Sequence, residues 1–151
     1  MEGRQIVGYA LAAIVGFVVY TGIKNSPTSP VSLATSETTS KVRPFSDATY
    51  AQVDAAVGCH SKYSDQKKED IFTRDYKNHW MEWRGRVVLV DSGDVSLDLD
   101  GVGTQDLHVY FAEKNAGYNL TKGSPLKVTF LMTSAGGCFL PFTGEEAIIR
   151  P

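Results

Sequence analysis

A basic surplus is missing from this sequence. Its 151 residues hold 15 Lys and Arg against 17 Asp and Glu, a net charge of −2 with His neutral. Setting aside Glu2, Glu37, Arg4, Lys24, Lys41 and Arg43, residues 47–151 carry 15 acidic and 11 basic groups, near −4. Binders of polyanions draw most of their affinity from neutralised phosphates, so this balance argues against nucleic acid. The densest basic stretch runs from Lys62, Lys67 and Lys68 through Arg74 and Lys77 to Arg84 and Arg86. It is broken by Asp65, Glu69, Asp70, Asp75 and Glu82, the pattern of a solvated mixed-charge face.

Other absences narrow the chemistry. Only two cysteines occur, without a CxxC spacing, so no recognisable cysteine zinc motif is present. No GxSxG elbow is present, and neither His79 nor His108 has a Ser or Cys in a nucleophile motif, so no catalytic role is assigned. Asp98, Asp100, Gly101 and Asp106 resemble part of a calcium loop. The third acidic position and the terminal Glu are absent at the required spacing, so these aspartates are expected to be solvent-facing. The expectation is a protein that is not an enzyme and needs no metal or cofactor.

Against these absences stands one long apolar run. Residues 6–23 are eighteen positions without a formal charge. At about 1.5 Å per residue they reach about 27 Å, which with Gln5 and the Lys24 stem spans a hydrocarbon core of roughly 30 Å. Residues 1–24 are therefore expected to form a single-pass membrane anchor, one partner of this chain being the bilayer itself. A cleaved secretory signal competes, because Arg4 precedes the run. Against it, the run exceeds the usual apolar region, and Tyr20, Thr21 and Gly22 make a poor cleavage site. A buried helix of a soluble protein is the third alternative. Flanking charge does not orient the anchor, with Arg4 on one side and Lys24, Lys41 and Arg43 on the other. Two cysteines and a stalk-like linker favour the body on the periplasmic or extracytoplasmic side.

Residues 25–46 form that linker, rich in Ser and Thr and containing Pro27, Pro30 and Pro44. Fully extended at about 3.3 Å per residue, it holds the body up to about 70 Å from the bilayer. The body is long enough for one domain with one core.

Within the body the hydrophobic period changes once. Tyr50, Val53, Ala56 and Val57 fall at helical spacing, with Ser46 or Asp47 as cap and Gly58 as stop, predicting a short helix over 47–58. Ser64 caps a weaker repeat carrying Ile71, Phe72 and Tyr76, either a helix or an ordered loop over 64–76. Residues 47–79 are thus a helical segment, and 80–151 a β domain.

From Trp80 the period is two. Trp83, Gly85, Val87 and Leu89 share one face, predicting a strand over 80–91. The turn cluster Asp91, Ser92, Gly93 and Asp94 leads into Val95, Leu97 and Leu99, alternating with Ser96, Asp98 and Asp100 in a second strand over 94–100. Leu107, Val109 and Phe111 give a third over 106–111. After a break at 112–125 with room for one helical turn, Leu126, Val128, Phe130 and Met132 give a fourth over 126–133. Residues 145–149 give a fifth. Three strands, an interruption and two strands is the order of an OB-fold barrel, so the fold class is all-β with N-terminal helices. Gly85 sits where a long first strand must bend.

On Trp83, Gly85 and Val87, on Val109 and Phe111, and on Leu120, Gly123, Leu126, Val128 and Phe130, the sequence resembles the membrane-anchored, anticodon-binding-like OB-fold proteins of bacteria. The likeness covers about residues 76–149, roughly half the chain, and its residues are packing positions. It implies a five-stranded barrel and ancestry shared with nucleic-acid binders. The acidic body departs from their electrostatics, and no nucleic-acid contact is carried over.

Cys59 follows the first helix, and Cys138 follows Gly136 and Gly137 before the fifth strand. In an exported body the pair predicts one disulfide, constraining the unfolded chain by about 4 kcal/mol. Two free buried thiols, or a metal or catalytic thiol with His60 as a co-ligand, are the alternatives. Asn119, Leu120 and Thr121 form a glycosylation sequon, informative only in a eukaryotic source.

Two functions survive. The first is a non-catalytic binding or scaffolding module at a membrane, meeting a protein or envelope component; the second is a cytoplasmic nucleic-acid-binding module. Barrels of this kind bind on the face of strands two and three, bordered by the loops near 91–94 and 134–143. There Tyr110 and Trp80 are the aromatic candidates and Arg84 and Arg86 the polar ones. Phe142, beside Phe139, Leu140 and Pro141, either joins an exposed contact patch or plugs the barrel end.

Overall fold

The computed structural model describes residues 42–151. The expected anchor at 1–24 and most of the linker at 25–46 lie outside them. No described helix is long and apolar enough to cross a membrane.

Two helices precede the barrel. Helix α1 (Tyr50–Val57) is capped at Thr49, whose hydroxyl accepts the Gln52 amide while the Gln52 side chain accepts the Thr49 amide. This reciprocal pair places the start later than the Ser46 or Asp47 cap expected from sequence. Neither of those residues has a Gln or Glu three positions on with which to satisfy two free amides together. Helix α2 (Asp65–Asp75) follows Ser64 and buries Phe72.

Five strands follow: β1 (Trp80–Val90), β2 (Asp94–Asp98), β3 (Leu107–Phe111), β4 (Pro125–Ser134) and β5 (Phe142–Arg150). They close a barrel in the order β1-β2-β3-β5-β4, with β3 and β5 parallel and every other pair antiparallel. A closed five-stranded barrel of this order is compatible with an OB-fold. The 112–124 interruption is a series of turns rather than a helix.

The barrel fills itself with Met81, Trp83, Val87, Val95, Leu97, Leu107, Val109, Leu126, Val128, Phe130 and Met132, all buried. Two glycines allow this. A Cβ at Gly85 would lie 2.4 Å from the Asp98 carbonyl oxygen, so β1 bends against β2 only without one. A Cβ at Gly144 would lie 2.2 Å from the Phe130 ring, which occupies that space. The helical segment completes the core from one end: Val53, Val57 and Phe72 join it. The Trp83 indole N–H donates to the Ala48 carbonyl at 2.9 Å.

Three details differ from the sequence reading. Leu89 is exposed, because a bulge between Val87 and Leu89 reverses the side chains of β1 beyond it. Ser96 and Asp98, expected to face water, are buried. Strand β5 begins at Phe142, three residues early, because β5 already pairs with β3 at Leu107 and His108.

Candidate functional site

A cleft opens where α1 meets two loops. Its larger part, about 590 Å³, lies between α1 and the outer side of β1. It continues into a part of about 390 Å³ walled by the β2–β3 loop (99–106) and the β4–β5 loop (135–141). Tyr50, Asp54, His60 and Asp100 line both parts.

An aromatic cluster makes the floor. Tyr50 meets Trp83 and Phe142 edge-to-face, with ring centroids 5.7 and 5.9 Å apart, and Trp83 meets Phe142 and Phe130 at 5.7 and 5.2 Å. Such pairs fix ring orientation as well as burying area. Burial pushes the Tyr50 phenol well above its ordinary pKa, and the negative charges of Asp106, Asp54 and Asp100 push it further the same way. The phenol is therefore a neutral hydrogen-bonding group throughout the physiological range.

The walls are acidic. Asp54 is almost fully buried; one of its oxygens accepts the Cys59 amide at 2.9 Å, and the other pairs with the His60 imidazole. In the β2–β3 loop, Asp98 accepts the amides of Gly101 and Gly103 at 2.7 and 3.0 Å. Asp106 accepts those of Leu99 and Asp100 at 2.7 and 3.2 Å, and Asp100 accepts that of Val102 at 2.9 Å. These three carboxylates bring oxygens within 4.8 Å of one another, the arrangement among the described residues nearest to a cation site. Their oxygens already serve backbone amides, which hold the three carboxylates around the loop. This bonding also explains why Asp98 is not solvent-facing.

Cys59 and Cys138 are joined by a disulfide, with Cα atoms 4.6 Å apart. The bridge ties the C-terminal end of α1 to the β4–β5 loop, and both half-cystines are exposed.

The residues singled out from sequence do not converge. Tyr110 is half exposed on the outer face of β3, opposite Asp94 beside the β1–β2 turn. Trp80 lies at the start of β1, paired with Leu131 and bridged to Phe45, so the two rings stand at different ends of the barrel. Arg84 is exposed and borders the cleft, whereas Arg86 reaches the Gly123 carbonyl at 3.4 Å. Phe142 is buried, a plug in the barrel end rather than part of an exposed patch; Phe139 is fully exposed and Leu140 largely so.

Around Tyr110 the structure assembles a contact that no motif announces. The Ser96 hydroxyl lies 3.0 Å from His108 Nδ1, Asp94 lies 4.0 Å from His108 Nε2, and Tyr110 packs edge-on against the His108 ring at 4.8 Å. Ser96 is only 2% exposed, so its hydroxyl is committed to this cross-strand bond. The cleft itself was missed from sequence. Its only local signal was the placement of Asp54 and His60 on either side of Cys59. Comparison with known proteins adds nothing to this geometry: no family model, no curated protein and no solved structure matches the chain.

Proposed function

We propose that this protein is a non-catalytic binding or scaffolding module, tethered by residues 1–24 with its body on the periplasmic or outer side of the membrane. In this reading the cleft between α1 and the two loops receives a segment of a protein or envelope partner. The observation that carries it is the lip of the cleft, where Phe139 is fully exposed and Leu140 70% exposed beside the open Tyr50–Asp100 floor. Exposed apolar side chains that fill no core are characteristic of contact sites. The disulfide supports the compartment, since such bridges persist in oxidising surroundings.

The electrostatics favour a cationic or polar segment. Asp47, Asp54, Glu82 and Asp100 line the larger part against Arg84 and His60. The β2–β3 face, with Asp94, Ser96, His108 and Tyr110, offers no basic stripe either.

Photo-crosslinking from position 139 and from position 110, in native membranes, tests the proposal. Adducts from position 139 on an unchanged fold are expected. Adducts to nucleic acid, lost as salt is raised, would move the protein to the alternative class. No adduct from either position would remove the cleft and the β-face together.

A further inference from the structure

We infer that the Cys59–Cys138 disulfide is a thiol–disulfide exchange site: a dithiol reduces it in the folded protein, and its opening frees the β4–β5 loop from α1 while the barrel stays closed. The chemistry does not depend on what binds in the cleft. Only its consequence, a change in the width of the cleft, rests on the function proposed above.

Access is the first requirement, because an attacking thiolate must reach one sulfur of the bridge. Both half-cystines are exposed residues at the mouth of the cleft, whereas every residue of the hydrophobic core is at most 8% exposed. In the exchange, one sulfur of the dithiol forms a bond to a bridge sulfur, and the bridge S–S bond breaks. Its electron pair leaves on the other cysteine, which takes a proton from water. The second sulfur of the dithiol then attacks the mixed disulfide, leaving two thiols on this chain and a disulfide on the reductant. The bridge gains two electrons and two protons, and the dithiol loses them.

The second requirement is a fold that survives the opening. On the helix side, Val53 and Val57 are buried in the core, Tyr50 is locked between Trp83 and Phe142, and Trp83 donates to Ala48. The turn around Cys59 closes on itself as well: Asp54 accepts the Cys59 amide, and the Ser61 hydroxyl donates to the Ala56 carbonyl at 2.8 Å. None of these contacts uses the bridge.

The loop side is different. Gly137 and Leu140 bond to each other at 2.9 and 3.3 Å, and the Gly136 amide donates to the Ser134 hydroxyl at 3.2 Å, all within the loop or its own stem. Among the described residues no hydrogen bond joins residues 135–141 to α1, so the disulfide is the tie between them. Opening it leaves the loop held by β4, β5 and the packing of Ala135 against the core.

The test uses the full-length protein in detergent, with dithiothreitol as the dithiol and iodoacetamide as the trap, with and without urea. Without urea, Cys59 and Cys138 should be alkylated together, at a rate within about tenfold of that in the unfolded chain, since access rather than unfolding limits exchange. Deuterium uptake should rise over residues 135–141 and stay unchanged over α1, the 58–62 turn and the five strands. The double variant Cys59→Ser/Cys138→Ser should show the same local pattern. A bridge that stays closed until urea is added would overturn the inference, as would uptake that spreads through the barrel on reduction. Crosslinking from position 139 is scored on the oxidised protein alone, so its failure leaves this result intact.

Discussion

The β2–β3 loop and the β4–β5 loop wall the same cleft and are held by opposite means. In the first, Asp98, Asp100 and Asp106 take five backbone amides, so the polar groups of the turn are satisfied by side chains of the loop and its flanking strands. The second has Ser134 as its side-chain acceptor, one internal pair of bonds, and a covalent tie to α1. A wall built from many local hydrogen bonds is stiff in itself. One built on a single long-range bond takes its position from whatever lies at the other end.

The largest expected effect abolishes the contrast by removing what lies under both walls. Phe142 is 5% exposed, and its ring meets both Tyr50 and Trp83. Phe142→Ala should cost about 3 to 5 kcal/mol in urea unfolding, the range for truncating a buried aromatic. A cost below about 1 kcal/mol would mean that the ring is a surface group, as substitutions at exposed positions behave.

Removing the bridge sharpens the contrast. The cysteines are 79 residues apart, and releasing a loop of that size should lower stability by about 4 kcal/mol, most of it gained by the unfolded chain. The double serine variant should therefore melt earlier with native far-UV and near-UV spectra. Loss of the near-UV signal at low temperature would show instead that the bridge holds up the core.

The matching change in the other wall is Asp98→Ala. It removes the buried carboxylate that accepts the Gly101 and Gly103 amides of this exposed turn, for about 1 to 2 kcal/mol. Here the damage should be native and local, seen as faster hydrogen exchange over 99–105. Asp98→Asn, which keeps one carbonyl acceptor, should cost less.

A smaller effect reports the field between the walls. Because burial and the charges of Asp106, Asp54 and Asp100 raise the Tyr50 pKa, the unfolded chain releases this proton first as pH rises. The contribution of Tyr50 is fully present below the ordinary tyrosine pKa, near 10, and is lost progressively above it. Tyr50→Phe should flatten the fall of unfolding free energy between about pH 9.5 and 11. An unchanged slope would mean that the phenol is not shielded by burial.

The same contrast separates what could be read in the sequence from what could not. Five strands, their places along the chain and most inward positions followed from period-two alternation, because each strand packs one face on a common core, whereas the parallel pairing of β3 with β5 did not. The alternation failed where neighbours in space overrode it. The bulge after Val87 turned Leu89 outward, His108 capped Ser96, and loop amides wrapped Asp98. The disulfide was inferred from compartment and count, yet its two ends gave no hint of the cleft they close. That cleft needs α1, β1 and two loops at once, and no local period encodes such a meeting. Phe139 and Phe142, three residues apart, show the limit most plainly, since one residue type supplies an exposed lip in the loop and a buried floor at the first position of β5.

Phe139→Ala is the change with the smallest expected effect on stability and the sharpest test of function. Its side chain is fully exposed and belongs to no part of the hydrophobic core. Truncation should therefore leave unfolding free energy within about 0.5 kcal/mol of the parent, as surface substitutions do. Leu140→Ala should behave similarly, with a slightly larger cost because that residue is 30% covered (70% exposed). If the lip contacts a partner, Phe139→Ala should reduce partner capture by roughly tenfold or more, the effect of losing an aromatic anchor worth above about 1.4 kcal/mol. Capture is compared with Tyr110→Ala, which alters the opposite end of the barrel. Equal loss in both variants would point to a broad, weak contact, and loss only with Tyr110→Ala would move the site to the β2–β3 face. Loss only with Phe139→Ala, on an unchanged fold, ties binding to the wall whose position the disulfide sets.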